Sequence, residues 1–559
     1  MDVDKLADLD NFENGDVRPY FYFLNLLDMA ADHPFYQSGP VMNPKTEKVA
    51  TNIYQQVHLS YVAPYVQDDW KVNSRLTLNL GLRFDDYGHL SSVKNSGTPI
   101  AFFTPGAGAT FQDQVASGSM EVRASNGSAT KNFQFRLAPR IGFAWDVFGN
   151  GSMAVHGGYG FFNNRIGEYS YVNQMRTNPP DDVDPSIDIF NPGVTLANFS
   201  YGTSGSGPTG FAPPPGITFQ IDSHGGIVGT RIGVGGLDPN LNTPIVHSWA
   251  LGVQHKIGGF VVEADYFGTA ARDLYLQTDV NRFAGDEIIN GGNQARLNQS
   301  FGSVVYGRSI GISNTNVGAF GISKHFSRGW TAHAIYTYGK ALDYTSNNDN
   351  GVGGDASAEG IFNADTLANQ YARSDYDSRQ RFSGDAVWNV PGFKTGIAHV
   401  ITDGWTLSPV IILQSGQPFT VYTSASYSSG GDYNADGFDY DTPDVPSFGN
   451  HIKTSRSNFL KGLFVASAFP TPPIGTEGTL GRNTYDGPGF ANVNLAAQRA
   501  FNLPMLGDAG KLEIRGEMIN LFNRVNLIKP VSDMNNTLFG YSTGQDSPRD
   551  IQVSAKIRF

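Results

Sequence analysis

The sequence predicts an all-β chain: an antiparallel up-and-down transmembrane β-barrel with short turns at one end and long loops at the other. Three observations predict it. Strand-like segments alternate apolar and polar residues with a period of two, they pair across tight turns with long polar connections between the pairs, and the chain's last nine residues alternate too. Composition agrees: aromatic residues make up 12%, charged residues only 16%, and there are 66 glycines, a balance suited to many strands joined by turns. The net charge of -12 and a pI near 5.3 lack the basic excess of a nucleic-acid binder. Without cysteine there is no disulfide framework, thiolate zinc site or cysteine nucleophile. No apolar run approaches the roughly 18 residues of a membrane helix.

The alternation is clearest in "VNSRLTLNLGLRFDDYGHL", Val72 to Leu90. Leu76, Leu78, Leu80, Leu82 and Phe84 share one face, and Arg75, Thr77, Asn79, Gly81, Arg83 and Asp85 the other, because successive side chains of a strand point to opposite sides. Its partner is Val57–Lys71, across "VNS". Leu137–Val147 then pairs with Ser152–Asn164 across "FGNG", Ile245–His255 with Phe260–Ala270 across "KIGG", and Val317–His325 with Trp330–Tyr338 across "FSRG". Arg381–Val390 pairs with Trp405–Gly416 over a longer connection, and Asn492–Phe501 with Lys511–Phe522 across "NLPMLGDAG".

Between the pairs lie Gly88–Gln134, Ile166–Pro244, Asp273–Asn316, Lys340–Gln380, Gln417–Ala491 and Asn523–Arg549, all rich in Gly, Ser, Asn, Asp and Pro. Loops this long count against a compact soluble domain. In a meander every second connection emerges at the same end, so the pattern implies tight periplasmic turns and long extracellular loops. Trp70, Trp145, Tyr159, Phe161, Trp249, Trp330 and Trp405 fall near strand ends, where interfacial aromatic girdles sit. The terminal "IQVSAKIRF" places Ile551, Val553, Ala555, Ile557 and Phe559 on one face. The leucines are therefore expected to face lipid and the arginines a polar bore.

Several segments resemble TonB-dependent receptors, most closely the Oar-like group. They are "YVQDDWKVNSRLTLNLGLRFD" (Tyr65–Asp85), "APRIGFAWDVFGNGSMAVHGGYGFF" (Ala138–Phe162), "DYDSRQRFSGDAVWNVP" (Asp375–Pro391), "LQSGQPFTV" (Leu413–Val421) and "GEMINLFNRVN" (Gly516–Asn526), in the family's order from about Tyr65 to Phe559. The resemblance implies a 22-stranded barrel, a plug inside it and energy from the TonB complex. It implies residence in the outer membrane of a Gram-negative bacterium, in contact with lipid and lipopolysaccharide, and assembly by the barrel-assembly machinery through the terminal strand ending at Phe559. Substrates of such receptors are scarce bulky nutrients, with peptides or proteins linked to Oar-like members; which substrate applies here is not legible.

The start of the chain departs from the family. "MDVDKLADLDNFENGD" is acidic where a secretory signal needs a basic region, and no TonB box, plug or carboxypeptidase-regulatory-like domain is found. The expectation is the carboxy-terminal barrel portion of a receptor, residues 1–559 forming barrel and residues 1–50 partial first strands and turn. It carries about 13–15 of the strands, which alone either close into a smaller barrel or depend on others, since an open edge in lipid costs several kcal/mol per unpaired backbone group.

Two sets of candidate site residues follow. "DYNADGFDYDTPD" (Asp432–Asp444) places Asp432, Asn434 and Asp436 at alternate positions before Gly437, the first half of a calcium loop, with the Phe438 carbonyl next. The second half departs, with Pro443 where a bidentate Glu is usual and Asp441 and Asp444 as substitutes; an acidic solvated loop tip is the plain alternative. Calcium is the one cofactor expected. The polar faces contribute Arg83, Arg140, Arg381 and Arg515 to a lumen, where plug contact is the natural role. No HExxH, GxSxG or phosphate-loop setting occurs, so binding and transport are expected rather than catalysis. An adhesion or structural barrel without active transport is the alternative; a secreted all-β carbohydrate-active protein fits less well, given the one-sided loop lengths.

Overall fold

A computed structural model describes the chain apart from residues 1–5, 14–19, 39–41, 44–47, 50–53, 89–90, 93–99, 124–129, 131–134, 168–177, 181–182, 184–185, 189–219, 229–230, 282–295, 347–369, 394, 426–429, 435–439, 450–451, 453, 477 and 508–509. Its framework is an antiparallel meander of thirteen strands. These are β1 (Tyr65–Lys71), β2 (Leu76–Asp86), β3 (Phe135–Asp146), β4 (Met153–Asn163), β5 (Ile245–Ile257), β6 (Phe260–Asp279) and β7 (Val304–Ser327). They continue with β8 (Trp330–Asp343), β9 (Gln380–Asn389), β10 (Trp405–Gln414), β11 (Phe490–Asn502), β12 (Lys511–Ile519) and β13 (Asp550–Arg558). Each pairs with the next in the chain.

Short turns close one end, and side-chain hydrogen bonds hold them. Asn73 Oδ1 accepts from the Arg75 and Leu76 amides at 2.8 and 3.0 Å. In "FGNG", Asp146 accepts from the Gly149 and Gly151 amides, each at 2.9 Å. Both glycines have φ near +70°, a region that side-chain-bearing residues avoid. The β9–β10 connection instead carries a short helix, Gly396–Thr402.

The register sorts most side chains into an apolar and a polar face. Leu80 stands across from Ile141, Ile141 from Tyr159, and Tyr159 from Trp249. This apolar face is open to the surroundings rather than packed on a core: Ile141 is 59% exposed, Leu251 54%, Phe320 61% and Val553 73%. Leucines turned into a sealed interior would have been covered. All six tryptophans lie on it. Trp70, Trp145, Trp330, Trp388 and Trp405 gather at the turn end, and Trp249 sits with Tyr159 and Phe161 toward the loop end. Lys324 belongs to this face but folds back, its Nζ donating to Ser327 O and Trp330 O at 2.8 and 3.0 Å and lying 4.0 Å from the Trp330 ring centroid. The buried ammonium is satisfied by these protein groups.

β1 and β13 are the two ends of the meander. No residue register joins them among the described residues, and every residue of both is exposed. Both run from the loop end to the turn end, so they cannot form an antiparallel pair with each other. The single strand expected over Val57–Lys71 is divided: Tyr65–Lys71 joins the meander, while Tyr54–Tyr61 pairs with Leu6–Glu13 in a separate three-stranded sheet.

The connections at the other end are not extended coil. β6 and β7 run to 20 and 24 residues, far beyond the roughly 9–11 that cross a bilayer, and build upward into the loops. There Val234–Leu237 pairs in parallel with Val304–Gly307, and Ile100–Thr104 pairs antiparallel with Ser119–Arg123. Phe103, Val115, Phe301, Val304 and Tyr306 form a buried core beneath them. A second cluster, of Phe419, Phe464, Phe469, Leu480, Tyr485 and Phe539, joins the loop after β10 to the loop after β12.

Candidate functional site: the polar wall and its loop-end clamp

The face opposite the tryptophans is a polar wall, and the registers place Arg83, Arg140, Arg381 and Arg515 on it. Arg83 and Arg140 are diagonal neighbours, Arg83 opposite Ala138 and Arg140 opposite Gly81. Arg381 stands between Thr337 and Gln414, and Arg515 between Gln498 and Ser554. The four are spread around the sheet, with only the first two brought together.

Most charges on the wall are matched locally. Arg83 Nε donates to Asp85 Oδ1 at 2.7 Å, Asn163 donates to Asp85 Oδ2 at 3.0 Å, and the Tyr61 hydroxyl joins both. Arg515 donates to Glu517 Oε1 at 2.6 Å and Gln498 Oε1 at 2.8 Å, and Arg558 pairs with Glu513 at 3.2 Å. His156 Nε2 stands 3.4 Å from Asp265 Oδ1, although a whole strand lies between them. The intervening residue is Gly252, where a Cβ would lie 2.0 Å from Asp265 Oδ1 and 2.6 Å from His156 Nε2, so the pair depends on a missing side chain. His333 and Asp385, directly opposed, approach to 3.6 Å.

At the loop end an ionic clamp fastens the segment after β10 to the rims of β8 and β9. Arg482, buried, donates to Asp343 O at 2.8 Å, pairs with the Asp343 carboxylate, and lies 3.7 Å from Asp375. Arg373 bridges Asp377 and Asp486 at 2.7 and 2.6 Å. Asn483, at φ +54°, donates from its amide nitrogen to Arg373 O at 2.8 Å and from its backbone to Thr420 Oγ1 at 2.9 Å. Neither the clamp nor the histidine–aspartate pairs emerge from sequence spacing, because, Arg373 and Asp377 apart, their members are distant in the chain. Only the register or the loop packing joins them.

Of the loop residues expected as calcium ligands, Asp432, Asn434 and Asp441 are each 1% exposed, and the Asn434 amide donates to Asp441 Oδ2 at 3.3 Å. Asp436 and Phe438 lie outside the described residues. Among the described residues no three His, Cys, Asp or Glu side chains converge as a metal-binding group. The arrangement is a polar wall, an apolar back, and folded modules over one end.

An antiparallel meander with an open apolar back girdled by tryptophan is the wall of a membrane β-barrel. The chain belongs to the family described as the outer membrane beta barrel domain, which matches residues 36–552, and it is an outer-membrane protein. No curated protein matches it. Among solved structures it is similar to the siderophore receptor PiuA from Acinetobacter baumannii, at 9% identity and a TM-score of 0.37, covering 93% of this chain and 44% of that one. It is also similar to the ferripyoverdine receptor of Pseudomonas aeruginosa (11%, TM-score 0.40, covering 90% and 39%) and to the outer membrane transporter YddB from Escherichia coli (10%, TM-score 0.42, covering 93% and 53%). The chain thus spans about half, or less, of the length of these proteins.

Proposed function

We propose that this chain is the barrel portion of a TonB-dependent outer-membrane receptor, which captures a substrate with its loop modules and passes it along the polar wall. The observation that carries this is the asymmetry of the meander. Every tight turn lies at one end, and at the other the loops pack around two cores and clamp to the strand rims. The ordered receptor-like motifs from Tyr65 to Asn526 point the same way. Arg83, Arg140, Arg381 and Arg515 then face whatever polypeptide plugs the bore.

The test compares cells lacking the gene with cells lacking the energy transducer. Compounds left unconsumed in the medium should be shared by the two. Depletion that responds to the gene but not to the transducer would reject energised transport and favour an adhesive or structural barrel.

A structural calcium ion in the Asp432–Asp444 loop belongs to the same reading. Asp432, Asn434 and Asp441 are each buried and carry side-chain oxygens, which suits a hard cation. Calcium at about 100 times its Kd should raise the stability of the loop module by about 2.7 kcal/mol. Asp432→Ala combined with Asp441→Ala should abolish the gain; an equal gain in that variant would refute the site.

A further inference from the structure

The wall formed by β2 to β5 contains a hollow of about 410 Å³, within the roughly 300–1,000 Å³ range of small-molecule sites. Its floor is bare because two adjacent register rows are nearly empty of side chains. One row runs Gly81, Arg140, Gly160, Ser248; the next runs Asn79, Gly142, Gly158, Ala250. Between them Leu80, Ile141, Tyr159 and Trp249 belong to the apolar face and offer only backbone to this side. Phe162 and Gln67 stand at the margin.

Among the described residues, Arg140 is the only charged side chain lining the hollow. It is exposed, its Cζ lies 4.4 Å from the Phe162 ring centroid, and it makes no ion pair among the described residues. Of the other arginines on the wall, Arg83 has Asp85 and Arg515 has Glu517. The nearby acids are committed as well, Asp69 accepting from Asn79 at 2.5 Å and Asp265 facing His156. A ring-stacked guanidinium is held in place, so less freedom is lost when it grips a carboxylate through two parallel hydrogen bonds.

We propose that this hollow binds a flat carboxylate-bearing small molecule. The carboxylate would pair with Arg140, and the planar body would lie on the peptide floor left open by Gly81, Gly142, Gly158 and Gly160. This rests on the polar face lining a water-filled bore, and not on energy from TonB.

The full chain, reconstituted in lipid nanodiscs, is titrated with 4-fluorobenzoate and with the uncharged 4-fluorobenzamide, observed by fluorine NMR. Saturable binding of the carboxylate alone is expected. Arg140→Gln should weaken it by about tenfold or more, while Arg515→Gln leaves it unchanged. Gly142→Val should also remove it by filling the hollow. A Cβ there meets nothing nearer than 3.6 Å, so the sheet can hold the side chain, and a retained heat-dependent gel shift verifies folding. Equal binding of acid and amide, no binding of either, or undiminished binding by Arg140→Gln would overturn the site. Each outcome is independent of the transducer comparison, so failure here is separable from failure of transport.

Discussion

Tyr485 shows what a single side chain does in this protein. It sits in the aromatic cluster at the loop end, 4.8 Å ring to ring from Phe464, and donates its hydroxyl to Gly449 O at 3.2 Å. Burial pushes its pKa up to about 12 from the ordinary 10, because an apolar setting disfavours the phenolate. The neutral form is the one that folding favours. Its contribution to the loop module is therefore complete below pH 10 and is lost as the pH rises from 10 to about 12. Alkaline titration of the loop module, followed by tyrosine absorbance, should show an unfolding step in that window. Tyr485→Phe should shift the step to higher pH. A step unmoved by that substitution would mean that another group governs it.

At the scale of elements, the clamp is the part most open to test. Arg482 is buried against Asp343 and Asp375, and removing one partner of a buried pair costs about 3–5 kcal/mol. Arg482→Ala should therefore loosen the segment between β10 and β11, seen as rapid protease cleavage within residues 417–491. The heat-dependent gel shift of the barrel should persist. Cleavage no faster than in the parent protein would remove the clamp from the account.

The same scale separates what the sequence shows from what it hides. The membrane-level parts of the strands from β2 to β13 are legible, because a face turned to lipid alternates and each turn carries its own signal, as Asp146 does for Gly149 and Gly151. The extensions of β6 to Asp279 and of β7 back to Val304 are not legible. There the burial becomes two-sided and the period-two pattern fades. The loop cores are hidden for another reason: Phe103 meets Phe301, and Phe464 meets Phe539, from segments with no local periodicity. On the polar wall the sequence supplies Arg140, but the hollow beside it needs the register that aligns Gly81, Gly142, Gly158 and Gly160 across three strands.

For the whole molecule, the account depends on which side of the sheet meets lipid. An exposed apolar face of this extent would be an aggregation surface in water, whereas in a bilayer it is the solvated side. The chain has no cysteine, so single cysteines can be introduced without background along β2, from Leu76 to Asp86, spin-labelled and reconstituted in lipid. Collision with oxygen should peak at positions 78, 80 and 82, and collision with a water-soluble nickel chelate at 79 and 81, with a period of two. An inverted phase, or a strand that neither reagent reaches, would contradict the assignment.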